Sequence, residues 1–132
     1  MDINCSARTA APRLDVTERA FQQKVVELAH IYSWRVAHFR PARVKDQNGG
    51  HERFVTAVAG DGKGFPDLVL INTRFKLMLY RELKTRSGRL SPDQEAWRDA
   101  IIAAGGDWDL WRPQHFDDVI IPTLTGTPRR TT

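Results

Sequence analysis

One cysteine, Cys5, stands in the whole chain of 132 residues. A single thiol rules out an internal disulfide and a zinc cluster built on cysteine. No apolar run approaches the roughly 20 residues needed to cross a bilayer. The N-terminus lacks the basic-then-apolar layout of a secretory leader, so a cytoplasmic location is expected. The four histidines, His30, His38, His51 and His115, show no paired ligand spacing and read as structural or surface residues. Only His38, on the strand after the first helix, stays open as a site candidate. The segment Gly60-Asp61-Gly62-Lys63-Gly64 is glycine-rich but lacks the Gly-Lys-Ser/Thr ending of a Walker A loop. No repeat and no second domain can be discerned. Charge of one sign is not dominant either: 20 Lys and Arg stand against 16 Asp and Glu, a formal +4. That small excess favours a polyanionic partner without requiring one, and a solvated basic face explains it as well.

What remains is an ordinary soluble composition, 41 % apolar and 27 % charged, in a length that suits one domain with one core. Residues 1–13 read as a flexible N-terminal tail, 14–122 as the folded domain and 123–132 as a C-terminal tail. A helix is predicted over 15–33, where Asp15 and Glu18 have capping-box spacing and Phe21, Val25, Leu28 and Tyr32 recur at helical period. Residues 35–40 read as a strand closed by Pro41. A polar loop or hairpin end with Gly49-Gly50 follows, and then a second strand over 54–59. Residues 68–71 and 75–83 are apolar runs joined by a tight turn at 72–75, with the mixed patterning of central strands covered on both faces. Ser91-Pro92-Asp93-Gln94 is a strong helix start: serine as N-cap, proline at N1, glutamine closing the box. Gln94, Trp97, Ile101 and Ala104 share a face of that helix, and Gly105-Gly106 ends it. A last strand is predicted over 108–112, and a short helix over the sheet edge from 115 to 121. The fold class is α/β, a mixed sheet of about five strands flanked by helices.

The hairpin carries the chemistry. Asp67 opens its first strand, and Glu82 and Lys84 close its second, so the fold at 72–75 brings both carboxylates to one end of the sheet. Two adjacent buried carboxylates repel at a cost of several kcal/mol unless a cation lies between them. Hard divalent ions such as Mg2+ or Mn2+ take oxygen ligands of this kind. Glu82 and Lys84, two apart on a strand, share a face; Leu83 points to the core while its backbone carbonyl can reach the same ion. Asp67 and Glu82 are thus candidate metal ligands, and Glu18 adds an oxygen directly or through water. Lys84 orients the attacking water or steadies charge in the transition state. Gln94 hydrogen-bonds Lys84, the water or a phosphate, at a helix N-terminus that itself favours an anion. Around them, Lys63, Arg81, Arg86, Arg89, Arg43 and Lys45 are candidate nucleic-acid contacts. Plainer readings exist for each residue. Glu18 and Gln94 suit capping alone, Asp67 suits a turn, and Glu82 with Lys84 suits an exposed ion pair. Trp97, Trp108 and Trp111 suit core or interface.

The order of these features decides between the readings. Glu18 on the first helix, Lys63-Gly64-Phe65-Pro66-Asp67-Leu68, Glu82-Leu83-Lys84-Thr85, and Gly88-Arg89-Leu90-Ser91-Pro92-Asp93-Gln94 followed by Trp97 form one composite. Ala104-Gly105 and Trp111-Arg112-Pro113 close it. The chain resembles the VRR-NUC family, the virus-type replication-repair nucleases of the PD-(D/E)xK superfamily, over residues 16–120. The resemblance implies a restriction-endonuclease-like core and a Mg2+- or Mn2+-dependent DNA endonuclease without organic cofactor. It places Asp67, Glu82 and Lys84 in the catalytic positions, with Glu18 and Gln94 beside them. It further implies a bacterial or phage setting, a homodimer, no membrane, and branched DNA such as a Holliday junction as substrate in repair or recombination. The insert at 41–62 departs from the family pattern. A DNA-binding module on a relic nuclease fold and an RNA-processing enzyme are the competing functions.

Overall fold

The computed structural model describes residues 17–39, 41–45, 52–56 and 60–126, of which 41–45 and 52–56 are described by backbone alone. The expected N-terminal tail and Asp15 lie outside the described residues.

Helix α1 (Glu18–Ile31) starts at Thr17, whose Oγ1 accepts the Ala20 amide at 3.0 Å. The N-cap is therefore Thr17, and Glu18 is the first helical residue, not the third residue of a box begun by Asp15. Threonine satisfies one of the orphan amides of the first turn, and Glu18 complements the positive end of the helix dipole. Phe21, Gln22, Val25 and Ala29 form the buried stripe. Tyr32, predicted to extend that stripe, is instead 41 % exposed. The helix stops at Ile31, and Ser33 in the left-handed region (φ 69°) turns the chain away into the sheet.

Strands β1 (Arg35–His38), β4 (Leu68–Asn72), β5 (Leu77–Leu83) and β6 (Asp107–Trp111) form one mixed sheet in the order β1-β4-β5-β6. The strands β2 (Pro41–Lys45) and β3 (Glu52–Thr56) pair antiparallel with each other in a separate two-stranded sheet. Among the described residues the main sheet has four strands, where about five were expected. The run predicted at 54–59 is strand over 52–56, but its partner is the stretch expected to be a loop. Pro41 opens β2 and does not close β1, a place where its missing amide costs no ladder bond.

The pairs β1/β4 and β4/β5 are antiparallel and β5/β6 is parallel. The β4–β5 turn is held by Asn72, whose Oδ1 accepts the Phe75 amide at 3.0 Å and whose Nδ2 donates to the Tyr32 carbonyl at 3.0 Å. The parallel pair is joined through helix α2 (Pro92–Ala103), as parallel strands require. Ser91 caps α2 with the predicted box, and Gly105 (φ 91°) turns the chain into β6. Ala104 is exposed, so the inward face of α2 ends at Ile101.

A 3-10 turn (Pro113–His115), a π-helical turn (Phe116–Ile120) and helix α3 (Ile121–Thr125) complete the described fold. Leu124 is fully buried, and its carbonyl accepts the Trp34 indole at 2.8 Å. The folded part therefore runs beyond residue 122. On one face of the sheet Leu68, Leu70, Leu79, Leu83 and Trp111 meet Phe21, Val25 and Ala29 of α1 and Ile120 and Leu124 near the C-terminus. Each such side chain contributes about 2–3 kcal/mol by leaving water. On the other face Tyr80 meets Phe65, which stacks edge-on against Trp97 of α2. Among the described residues no helix is long and apolar enough to cross a membrane.

Candidate active site

Asp67 sits one residue before β4. Its carbonyl accepts the Phe39 amide at 2.8 Å, tying it to the end of β1. The preceding Gly-Phe-Pro explains its placement. The Phe65 ring stands edge-on to Trp97 (4.9 Å between centroids), Phe39 (5.2 Å) and Tyr80 (6.3 Å), and Pro66 is buried. Gly64 has φ 87°, and a Cβ there would lie 2.5–2.7 Å from backbone and Cβ atoms of Asp93. The glycine-rich loop thus makes its close approach to the start of α2.

The register of the hairpin sets Leu68 opposite Arg81. One step further sets Asp67 opposite Glu82, on the same face. Glu82 is 2 % exposed. Asp67 Oδ2 accepts the Leu83 amide at 2.8 Å. Glu82 Oε2 accepts Gln94 Nε2 at 2.9 Å, and Lys84 Nζ lies 3.9 Å from that oxygen. Gln94 is locked at both ends, because its Oε1 accepts the Ser91 amide at 2.8 Å. It therefore serves the helix cap and Glu82 together, and its amide is not turned to Lys84.

Burial, the adjacent Asp67 charge and a hydrogen bond from one carboxyl to the other push the Glu82 carboxyl up to about 9. Burial also raises Asp67, against the Leu83 amide, its bond with Glu82 and the Lys84 charge, which lower it. Glu18 is exposed at the tip of α1, and its charge raises both. Among the described residues no three or more His, Cys, Asp or Glu side chains converge as a metal cage. Glu18 is thus felt by charge but does not complete a direct set. The donors at hand are two carboxylates and the strand edge at Leu83. That amide points to Asp67, and in a regular strand the carbonyl of the same residue leaves along the same edge. A cation would replace the proton that the two carboxyls share, so this donor set fits a hard divalent ion.

Arg81 is not at the surface. Strand alternation places it on the face opposite Glu82, with Leu79 and Leu83, and it is 5 % exposed. Its guanidinium pairs with Asp107 at 3.1 Å, donates to the Tyr80 and Asp107 carbonyls and lies 5.0 Å over the Trp111 ring. It holds β5 to β6 and is buried, where a phosphate contact would be exposed. Lys63 is exposed and pairs with Asp93 at 3.5 Å. Arg86 and Arg89 are exposed between β5 and α2. Arg43 and Lys45 lie on β2, whose side chains fall outside the description. Trp97 is half-buried, and its indole donates to the Asp61 carbonyl at 2.9 Å. Trp111 is wholly buried. His38 does not join the carboxylates; it borders a cavity of about 190 Å³ with Arg19, Gln23, Val26 and Glu27.

Sequence reasoning assigned no role to Arg112. Its Nη1 donates to the carbonyls of Thr85 (2.8 Å), Gly88 (2.6 Å) and, more weakly, Arg86 (3.4 Å). The signal was its place at the end of a strand parallel and adjacent to β5. The model of the VRR-NUC domain matches residues 11–112, which takes in α1, all six strands and α2. Neither the curated proteins nor the solved structures yield a significant match. With the matched span reaching over more than half of the chain, the protein belongs to the VRR-NUC family, whose members are virus-type replication-repair nucleases, hydrolases acting on DNA.

Proposed function

We propose that this nuclease is a divalent-metal-dependent endonuclease on a PD-(D/E)xK core, with Asp67, Glu82 and Lys84 as its catalytic residues. One observation carries the reading: a buried Glu82 carboxyl faces a partly buried Asp67 carboxyl, and burial, with the Asp67 charge beside it, pushes Glu82 up to about 9. A folded protein keeps such a pair at a cost in stability, and a cation relieves it. Asp67, Glu82 and the Leu83 carbonyl would hold Mg2+ or Mn2+, with Glu18 contributing through water. When bound, such an ion supplies Lewis acidity to the phosphate and to the attacking water.

The chain's own residues do the rest. Lys84 Nζ, anchored 3.9 Å from Glu82, orients the water and offsets charge growing on the phosphate. Gln94 keeps Glu82 Oε2 in one orientation by its 2.9 Å bond. The Leu83 amide does the same for Asp67 at 2.8 Å. The exposed Arg86 and Arg89 and Lys63 are placed to meet flanking phosphates.

The substrate we propose is branched DNA, a four-way junction above all, cut by a homodimer whose two-fold axis matches that of the junction. The test is incubation with junction, flap, linear duplex and single-stranded DNA in Mg2+, Mn2+ or EDTA, with Glu82→Ala in parallel. Cutting that needs metal, prefers the junction and is absent from Glu82→Ala is the expected result. Cutting by Glu82→Ala at the wild-type rate refutes the site. Tight binding without cutting by either protein makes the chain a relic.

A further inference from the structure

We propose that Arg112 is a positioning residue: it holds the 85–89 turn as a preformed phosphate-binding arm of the active site. This rests on the nuclease reading above.

Six residues link Lys84, past the end of β5, to Ser91, the cap of α2. Both ends of this link converge on one atom, Glu82 Oε2, which takes Gln94 Nε2 at 2.9 Å and has Lys84 Nζ at 3.9 Å. The middle has no ladder and no helix of its own. Left alone, each of its residues would have on the order of 1–2 kcal/mol of backbone entropy to lose on ordering, and Arg86 and Arg89 would sweep widely.

Arg112 removes that freedom. The Lys84 amide donates to the Trp111 carbonyl at 3.0 Å, which brings Arg112 alongside the turn. Its guanidinium then gathers the carbonyls of Thr85 and Gly88 and touches that of Arg86. Gln114 Nε2 adds a second donor to the Arg86 carbonyl at 3.3 Å. Thr85 Oγ1 accepts the Gly88 amide at 3.1 Å, closing the turn on itself. The packing is tight: a Cβ on Gly88 would stand 2.9 Å from Thr85 Oγ1 and 3.5 Å from Lys84 Cδ.

The electrostatic consequence is directional. Three carbonyl oxygens are turned toward a cation and held there, while the side chains of Arg86 and Arg89 stay exposed. The outer side of the turn is thereby relieved of negative dipole ends and presents two guanidiniums at a set distance from Lys84. That is a surface for the phosphates of the strand flanking the bond to be cut. All three contacts fall on one nitrogen, Nη1, which the rigid guanidinium plane holds in a fixed place; the flexible stem of a lysine does not hold its ammonium so, and lysine is a poor substitute here.

The test is a double-mutant cycle on the full chain with R86A, R112A, R112K and R86A/R112A. Duplex affinity is measured in EDTA as a function of salt, and single-turnover cleavage in Mn2+ at saturating DNA. R86A in the wild-type background should lower the salt slope by about 1, the loss of one phosphate contact. In the R112A background, R86A should change it no further, because Arg86 is no longer held. R112K should cut about 10- to 100-fold more slowly at saturating DNA, the scale of a displaced catalytic group. A stabilising role alone would leave the two effects on salt slope additive. Additivity, or R112K cutting at the wild-type rate, overturns the inference while the wild type still cuts. A wild type that neither binds nor cuts DNA overturns the nuclease reading as well. If R112A does not fold, R112K carries the cycle.

Discussion

Replacing Glu82 by glutamine should make the metal-free protein more stable while abolishing cleavage. Glutamine keeps the shape of the side chain. Its oxygen can still accept Gln94 Nε2, and its amide can donate to Asp67 as the shared proton does now. What it removes is the titration. The Glu82 carboxyl is raised by folding, from an ordinary 4.5 to about 9. The folded state therefore holds a proton that the unfolded chain has released, and stability falls as pH rises between those two values. At pH 7, the gap above 4.5 corresponds to at most about 3–4 kcal/mol at roughly 1.4 kcal/mol per pH unit. Asp67 shares the proton and the site relaxes, so a gain of about 1–2 kcal/mol is expected. For a domain of about 100 residues that is roughly 5–15 °C in Tm.

The assay is thermal unfolding by circular dichroism in EDTA at pH 5, 7 and 8. The gain should be small at pH 5 and grow toward pH 8. Mg2+ or Mn2+ should raise the Tm of the wild type and leave Glu82→Gln unmoved, since only the carboxylate favours the ion. A lower Tm for Glu82→Gln at pH 7 in EDTA would refute the reasoning, and so would a gain independent of pH. Either result would mean that the two carboxyls do not press on each other as the geometry requires.

Arg81→Ala should cost about 1–3 kcal/mol in denaturant unfolding, because it leaves two strand carbonyls without their buried donor while Asp107, 55 % exposed, stays in water, and the salt slope of DNA binding should stay at the wild-type value. A lowered salt slope would restore Arg81 as a phosphate contact. Gly64→Ala combines a left-handed φ of 87° with a clash against Asp93, so a loss of about 2 kcal/mol or more is expected, together with reduced cleavage as the start of α2 shifts; unchanged unfolding would show that the loop has room to move. Ser91→Ala should cost about 1 kcal/mol and slow cleavage, since the box that fixes Gln94 against Glu82 loses one member; a stability loss with full activity would separate the cap from the site.

Much was legible along the chain because the causes are local. Ser91-Pro92-Asp93-Gln94 had to start a helix, since serine, proline and glutamine each satisfy or omit an orphan amide there. Asn72 and the residues after it had to turn, and that turn fixes which carboxylates meet. The buried place of Arg81 was legible too: once Glu82 faces the site and Leu83 the core, period two puts Arg81 with Leu83. Other features were beyond local reading. Whether β3 would join the main sheet depended on a competition between strand partners, and the neighbouring β2 won it. Thr17 outdid Asp15 as cap, a choice among adjacent polar residues that small differences decide.

By itself, the order of residues determined the family, the hairpin, the capped helix and the pair of acids at one end of the sheet, because each follows from short-range sterics, capping and strand alternation. The tertiary structure alone decided that Gln94 reaches across to Glu82, that the glycine loop seats on α2, and that Arg112, far away in the chain, grips the 85–89 turn. Those contacts join segments that meet only when β6 lies down beside β5, and distance in space between distant residues is set by packing, not by neighbours along the backbone.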